Sequence, residues 1–221
     1  MRDFNASKLI PYIPREDYDK IATEFLREFY PEALQKPMRV PIEDIAQNGL
    51  GLDVQYVGIS EELEIYGMTI FTDGFLEIYD PEEMLYETKS FKAKTVLIDP
   101  EAVKKTNIGC RNNTLAHECV HWYKHRYYYK MQNFTLPRYA KYCKCKVNDL
   151  PYASDDENIM ECQAIGIAPR ILMPREPFIE AAEYLGISYG RNNNESIWTL
   201  ADFFDVSKQS VAIRLKECKL L

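Results

Sequence analysis

Residues 117–121 read His-Glu-Cys-Val-His, within a stretch from Arg111 to Gln132 that contains neither glycine nor proline. On a helix, positions 117 and 121 are about 6 Å apart along the axis and about 40° apart around it. Both imidazoles then project from one face and can bind a single Zn²⁺. Glu118 points to the neighbouring side of that face, where it can deprotonate a metal-activated water instead of ligating the metal. The whole chain has three histidines, and two of them are here. This pattern predicts a metal-dependent hydrolase with His117 and His121 as ligands and Glu118 as the general base. Leu115, Cys119 and Val120 supply an apolar back to the helix, as a helix buried under a cleft requires.

A chain of 221 residues is one ample domain, or one domain with a small appendage. Its net charge of −7 argues against broad, charge-driven binding of nucleic acid. No apolar run approaches the roughly 20 residues that span a bilayer, so no membrane partner is expected. The opening Met1-Arg2-Asp3-Phe4-Asn5 lacks the apolar core of a signal peptide, and a cytoplasmic location is expected. The cysteines of such a protein stay reduced, and most of them read as small core residues.

Apolar positions at helical spacing (Tyr18, Ile21, Phe25, Phe29) predict a first helix that ends at Pro31. Pro41 to Gln47 reads as a short second helix. Leu52 to Val57 alternates like a strand. Leu63 to Phe71 and Phe75 to Tyr79 read as strands joined through Thr72-Asp73-Gly74 as a hairpin. Thr95 to Ile98 reads as a short buried strand, and the pentad helix follows from about Arg111 to Gln132. Helices dominate from Asn158 onward. Strands gathered early and helices late predict an α+β fold.

Between 122 and 146, Lys and Arg are interleaved with Tyr, Phe and Trp, and from Lys124 to Lys146 no acid interrupts them. The stretch reads either as a groove for an acidic or aromatic partner, or as a helix extension whose tyrosines pack on the domain.

A catalytic zinc site needs a third protein ligand and an open position for water. His125 would sit about 6 Å further along the helix from His121, a poor reach without a break. A carboxylate from a second helix suits better, and Glu157 and Glu161 are both candidates one turn apart. Spacing alone does not choose between them.

Arg111 to His121, followed by Glu161-Cys162-Gln163-Ala164 and Ile171-Leu172-Met173-Pro174, resembles the ImmA/IrrE family of zinc metallopeptidases. That family shows an R-x-x-[FN]-T-L-A-H-E-x-x-H helix and then an E-x-[QE]-A-N-x-x-A-x-x-[IL]-L-M-P helix. The resemblance covers most of residues 15 to 175. It implies a zincin-like fold with a small early sheet, one Zn²⁺ on His117, His121 and Glu161, and Glu118 as base. It also implies a protein substrate, such as a helix-turn-helix repressor of a mobile element or stress regulon. Ile165 stands where the family carries Asn or Asp, which removes a hydrogen-bonding side chain near the site.

Ala201, Asp205 and Val211 fall at helix-turn-helix spacing, with Ser207 able to cap the second helix. Val211 and Leu215 would face inward, leaving Lys208, Gln209, Ala212 and Lys216 outward. The expected organisation is a peptidase domain over 1–190 and a helix-turn-helix-like segment over 195–221 packed on it. The competing function is a non-catalytic zinc-containing regulator that binds a protein partner or DNA through its C-terminal helices, the DNA through residues 199–216.

Overall fold

Four consecutive buried residues, Thr95 to Ile98, have no face to offer water and so require cover on both sides. They form the strand β5 inside a four-stranded sheet of a computed structural model, which describes residues 10–104, 108–131, 140, 142–146 and 155–221. The sheet order is β1 (Asp53–Tyr56), β5, β2 (Ile65–Ile70) and β6 (Tyr142–Lys146). β1 runs parallel to β5, β2 antiparallel to β5, and β6 antiparallel to β2.

Alternation along β2 divides two apolar layers. Met68 and Ile70 pack with Leu97 against Leu76, Ile78 and Phe91 of a separate hairpin, β3 (Gly74–Asp80) and β4 (Leu85–Phe91). Val96 and Ile98 face the helices on the opposite side, where the larger core lies. The chain is therefore α+β, with helices on one face of the sheet and a hairpin on the other.

The predicted pairing of the 63–71 and 75–79 strands does not occur. β2 is buried from Gly67 onward and takes β5 and β6 as its two ladder partners, while β3 alternates between exposed and buried and pairs with β4. Asp73 is no tight-turn residue here; its carboxylate accepts from the Ala93 amide at 2.8 Å and pairs with Lys92. β6 is also a strand late in the chain, where the pattern gave either a groove or a helix extension.

Helix α1 (Tyr18–Phe29) buries Tyr18, Ala22, Phe25 and Leu26 and stops before Pro31. A short α2 (Ile42–Asp44) continues as a π-helical turn over Ile45–Gly49. After α3 (Pro100–Lys104) comes the long pentad helix in three parts. These are α4 (Ile108–Val120), a π-helical turn at His121–His125, and α5 (Arg126–Met131). No glycine is needed for this widening; Trp122, Tyr128 and Tyr129 are buried around it, with Tyr129 stacked on Phe71. Gln132, Phe134, Arg138, Tyr139 and Lys141 of the basic aromatic stretch lie outside the described residues, as does Met1 to Asn5.

Helices α6 (Asp155–Leu172), α7 (Arg175–Tyr184), α8 (Asn194–Phe204) and α9 (Lys208–Glu217) complete the chain. α8 and α9 have the helix-turn-helix form: Asp205 adopts a left-handed conformation, and Ser207 caps α9 by accepting from the Ser210 amide at 3.0 Å. Val211 and Leu215 are buried, and so is Arg214. The Arg214 guanidinium donates to the Met173 carbonyl at 3.1 Å and pairs with Asp19 of α1 and Glu217. No helix among the described residues is long and apolar enough to cross a membrane.

Candidate metal centre

Two helices deliver the cluster. α4 carries His117 on its last full turn, and His121 opens the π-helical turn. α6 packs across them and carries Glu161 on its buried face beside Met160 and Ala164. His117 Nε2 and His121 Nε2 are 2.9 Å apart, and the Glu161 carboxylate reaches them at 3.1 and 3.2 Å. Three ligands about 2.0–2.1 Å from a tetrahedral zinc would be about 3.3 Å from one another, so the spacing fits. Among the described residues, this is the group of metal-ligating type whose atoms all converge within 4.8 Å; Glu157 does not join it. The group can hold a metal ion.

Burial is near complete: His121 and Glu118 are 0 % exposed, His117 2 % and Glu161 3 %. Burial disfavours a charged His117, but the charge and hydrogen bond of Glu161 outweigh it and raise the imidazole above its usual range. Burial likewise opposes ionisation of Glu161, yet His121 and His117 hold its carboxyl well below the usual range. Without a metal, His117 and Glu161 each favour the other's charged form. A metal replaces the proton between them, since it takes neutral imidazole and carboxylate.

Glu118 stands apart from the ligand trio. Its Oε2 accepts a 2.6 Å hydrogen bond from Thr69 of β2 and lies 3.8 Å from the Cys143 thiol of β6. Its Oε1 is buried with no hydrogen-bond partner. An orphaned buried carboxylate oxygen beside a ligand trio leaves a hydrogen-bond acceptor open to something the site binds. Burial raises the Glu118 pKa, against the opposing pull of His117 and His121.

The strand comes this close because Gly67 has no side chain. A Cβ there would lie 2.7 Å from Thr114 and 3.1 Å from Glu118. Neither Gly67 nor Thr69 was singled out from the sequence. The alternation of β2 could have placed both on one face, but it could not show that the face meets Glu118.

His125 does not join the trio. Its Nδ1 lies 3.0 Å from Nδ1 of His121, and its Nε2 lies 2.9 Å from Oε1 of Gln163. Burial, with His121 alongside, pushes its pKa down to about 3, so the ring is neutral. Tyr129, one turn further, is buried, and burial together with Cys143, Glu157 and Glu161 raises its phenol, which stays a proton donor. Ile165 is 57 % exposed, so an amide in its place would meet solvent before it met the cluster. Of the described cysteines, Cys119, Cys143 and Cys218 are buried and none is in a disulfide.

Residues 109–216 match the family model described as Peptidase_M78, IrrE N-terminal-like domain. The matched span takes in α4, the π-helical turn, β6, α6 and nearly all of the C-terminal helix pair, and it supports a metallopeptidase-type function. No curated protein matches the chain.

Proposed function

Starting from an IrrE N-terminal-like peptidase domain over residues 109–216, we propose that this chain is a zinc-dependent endopeptidase. Its substrate is a specific intracellular protein, and the family resemblance points to a helix-turn-helix repressor or a comparable regulator. The observation that carries this reading is a buried trio, His117, His121 and Glu161, next to an unpartnered oxygen of Glu118.

In this reading the trio holds zinc, for which two imidazoles and a carboxylate are a suitable donor set. Bound zinc supplies Lewis acidity, which makes water a competent nucleophile near neutral pH and polarises a carbonyl. Glu118 Oε1 takes the proton of the attacking water, and the same carboxyl then gives that proton to the leaving amine. Thr69 fixes the other oxygen, so the free one has a single aim. Water adds across the C–N bond, and a new carboxylate and a new amine result.

The test is Glu118→Gln, assayed by co-expression with a candidate repressor and by elemental analysis of the purified protein. The variant keeps about one zinc per chain and loses cleavage by about 10²- to 10⁴-fold. Undiminished turnover in the variant, or a parent protein that takes up no zinc on reconstitution, removes the assignment.

A further inference from the structure

A metal-binding histidine is rarely held by the metal alone; its second nitrogen donates to a fixed acceptor that sets tautomer and ring orientation. At His121 this acceptor is neither a carboxylate nor a carbonyl but the third histidine. We propose that His125 and Gln163 are positioning residues that orient His121 for metal binding. With Nε2 of His121 directed at the trio, its Nδ1 carries the proton and donates to Nδ1 of His125 across 3.0 Å. His125 then carries its own proton on Nε2 and donates it to Gln163 Oε1 at 2.9 Å. Gln163 Nε2 donates in turn to the Pro11 carbonyl at 2.8 Å. Each link of this relay joins a donor to an acceptor, and only one tautomer of each ring allows it. The π-helical turn at 121–125 brings the two imidazoles edge to face at 5.0 Å. Gln163 lies two residues after Glu161, so the relay also clamps the two ligand-bearing helices together.

This inference rests on the zinc reading above, and its test separates the two. Zinc affinity is measured by chelator competition in the parent, His125→Phe and His125→Asn, with the visible spectrum of the cobalt-substituted protein as a second readout. Asparagine retains an acceptor close to the place of Nδ1; phenylalanine retains only the ring. Loss of a partner of this kind weakens metal binding about 10- to 100-fold. That loss is expected in His125→Phe, with a shifted cobalt spectrum, and substantial recovery in His125→Asn. Parent-like affinity and spectrum in His125→Phe overturn the relay, as does an equal loss in both variants, which marks His125 as packing only. A parent that binds no metal refutes the zinc reading instead.

A second observation stands independently: the four central residues are at most 3 % exposed, so little of them is open to a substrate. β2 is the strand that touches Glu118, and β6 occupies its outer edge through five register pairs from Ile65–Lys146 to Ile70–Tyr142. Cys143 of β6 lies opposite Thr69 and fills the space beside Glu118 Oε2. We infer that β6 is an internal strand occluding the site, which an extended segment of the substrate protein displaces from the edge of β2. A disulfide between register partners, Met68→Cys with Lys144→Cys, locks β6, and Lys144→Pro loosens it. Extraction of zinc by a chelator reports access without any substrate. Extraction is expected to slow at least tenfold in the oxidised lock, to recover on reduction, and to quicken in Lys144→Pro. Parent-like rates in a lock whose disulfide is verified, or in a folded Lys144→Pro, overturn the occlusion.

Discussion

The metal centre and the underside of the C-terminal helix pair are both buried clusters of charge, and they are built in opposite ways. At Arg214 each terminal nitrogen has a carboxylate, Asp19 or Glu217, and the remaining N–H donates to the Met173 carbonyl. Arg214 holds Asp19 ionised, overcoming the cost of its burial. Arg170 joins the same two carboxylates, and in this cluster only its Nε is left without a hydrogen-bond partner. At Glu118 the same degree of burial leaves Oε1 without a partner, and three ligand atoms crowd within about 3 Å of one another. Burial without compensation is costly, and proteins tolerate it where a ligand or a reaction provides the missing partner. In the first cluster opposite charges answer one another and hold elements together, whereas the second keeps a free carboxylate oxygen beside a ligand trio.

The largest effects should separate the two clusters cleanly. Glu161→Gln removes a charged ligand from the trio and is expected to lower zinc affinity at least 100-fold, read by elemental analysis after dialysis, with the fold retained. Arg214→Met should leave zinc content at the parent value and cost about 3 kcal/mol in urea unfolding, because the Met173 carbonyl loses its donor and Asp19 keeps only its longer pairs to Arg170 and Arg175. If Arg214→Met depletes zinc as Glu161→Gln does, the two clusters are coupled and the contrast is wrong.

These two regions also differ in how far the sequence revealed them. The ligand trio came from helical spacing plus a resemblance, since Glu157 and Glu161 were indistinguishable by pattern; packing of α6 across α4 brings only Glu161 to the histidines. The outward and inward faces of α9 were readable from periodicity, yet Arg214 was not, because nothing local says that an arginine will be drawn inward by Asp19, 195 residues away. The same holds for Thr69 and Gly67, whose role depends on how closely β2 approaches α4. The misjudged hairpin has a related cause. Thr72-Asp73-Gly74 has turn chemistry, but strand pairing was decided by which strands are buried on both faces. His125 reads as a reach too far along a regular helix, and the π-helical turn that gives it a partner is invisible in the spacing.

Removing the metal should expose the next difference, in pH dependence. His117 has a raised folded-state pKa, so its contribution to stability is full below the unfolded value near 6.5 and is lost as pH rises through the folded value. Glu161 is depressed, so its contribution is present above about 4.5 and is lost as pH falls through its folded value. The raised Glu118 loses its contribution as pH climbs from about 4.5 through its folded value, so metal-free protein is expected to lose melting temperature as pH climbs above 6.5. Zinc-loaded protein should show the reverse trend over that range, because protons compete with the metal for His117. Parallel melting curves for the two forms between pH 6 and 9 would mean that the pair does not form without metal.

The smallest effect is the most local. Thr69→Val keeps shape and removes one hydroxyl, the donor that holds Glu118 Oε2 at 2.6 Å. That hydrogen bond lowers the Glu118 pKa against the burial that raises it, so its loss shifts the carboxyl further upward. Less of the base is then ionised at neutral pH, and its free oxygen loses its fixed aim. The rate constant for cleavage should fall about tenfold, with the acid limb of the pH–rate profile moved to higher pH and zinc content unchanged. An unaltered profile would place the proton acceptor elsewhere and leave Thr69 as a support for β2 alone.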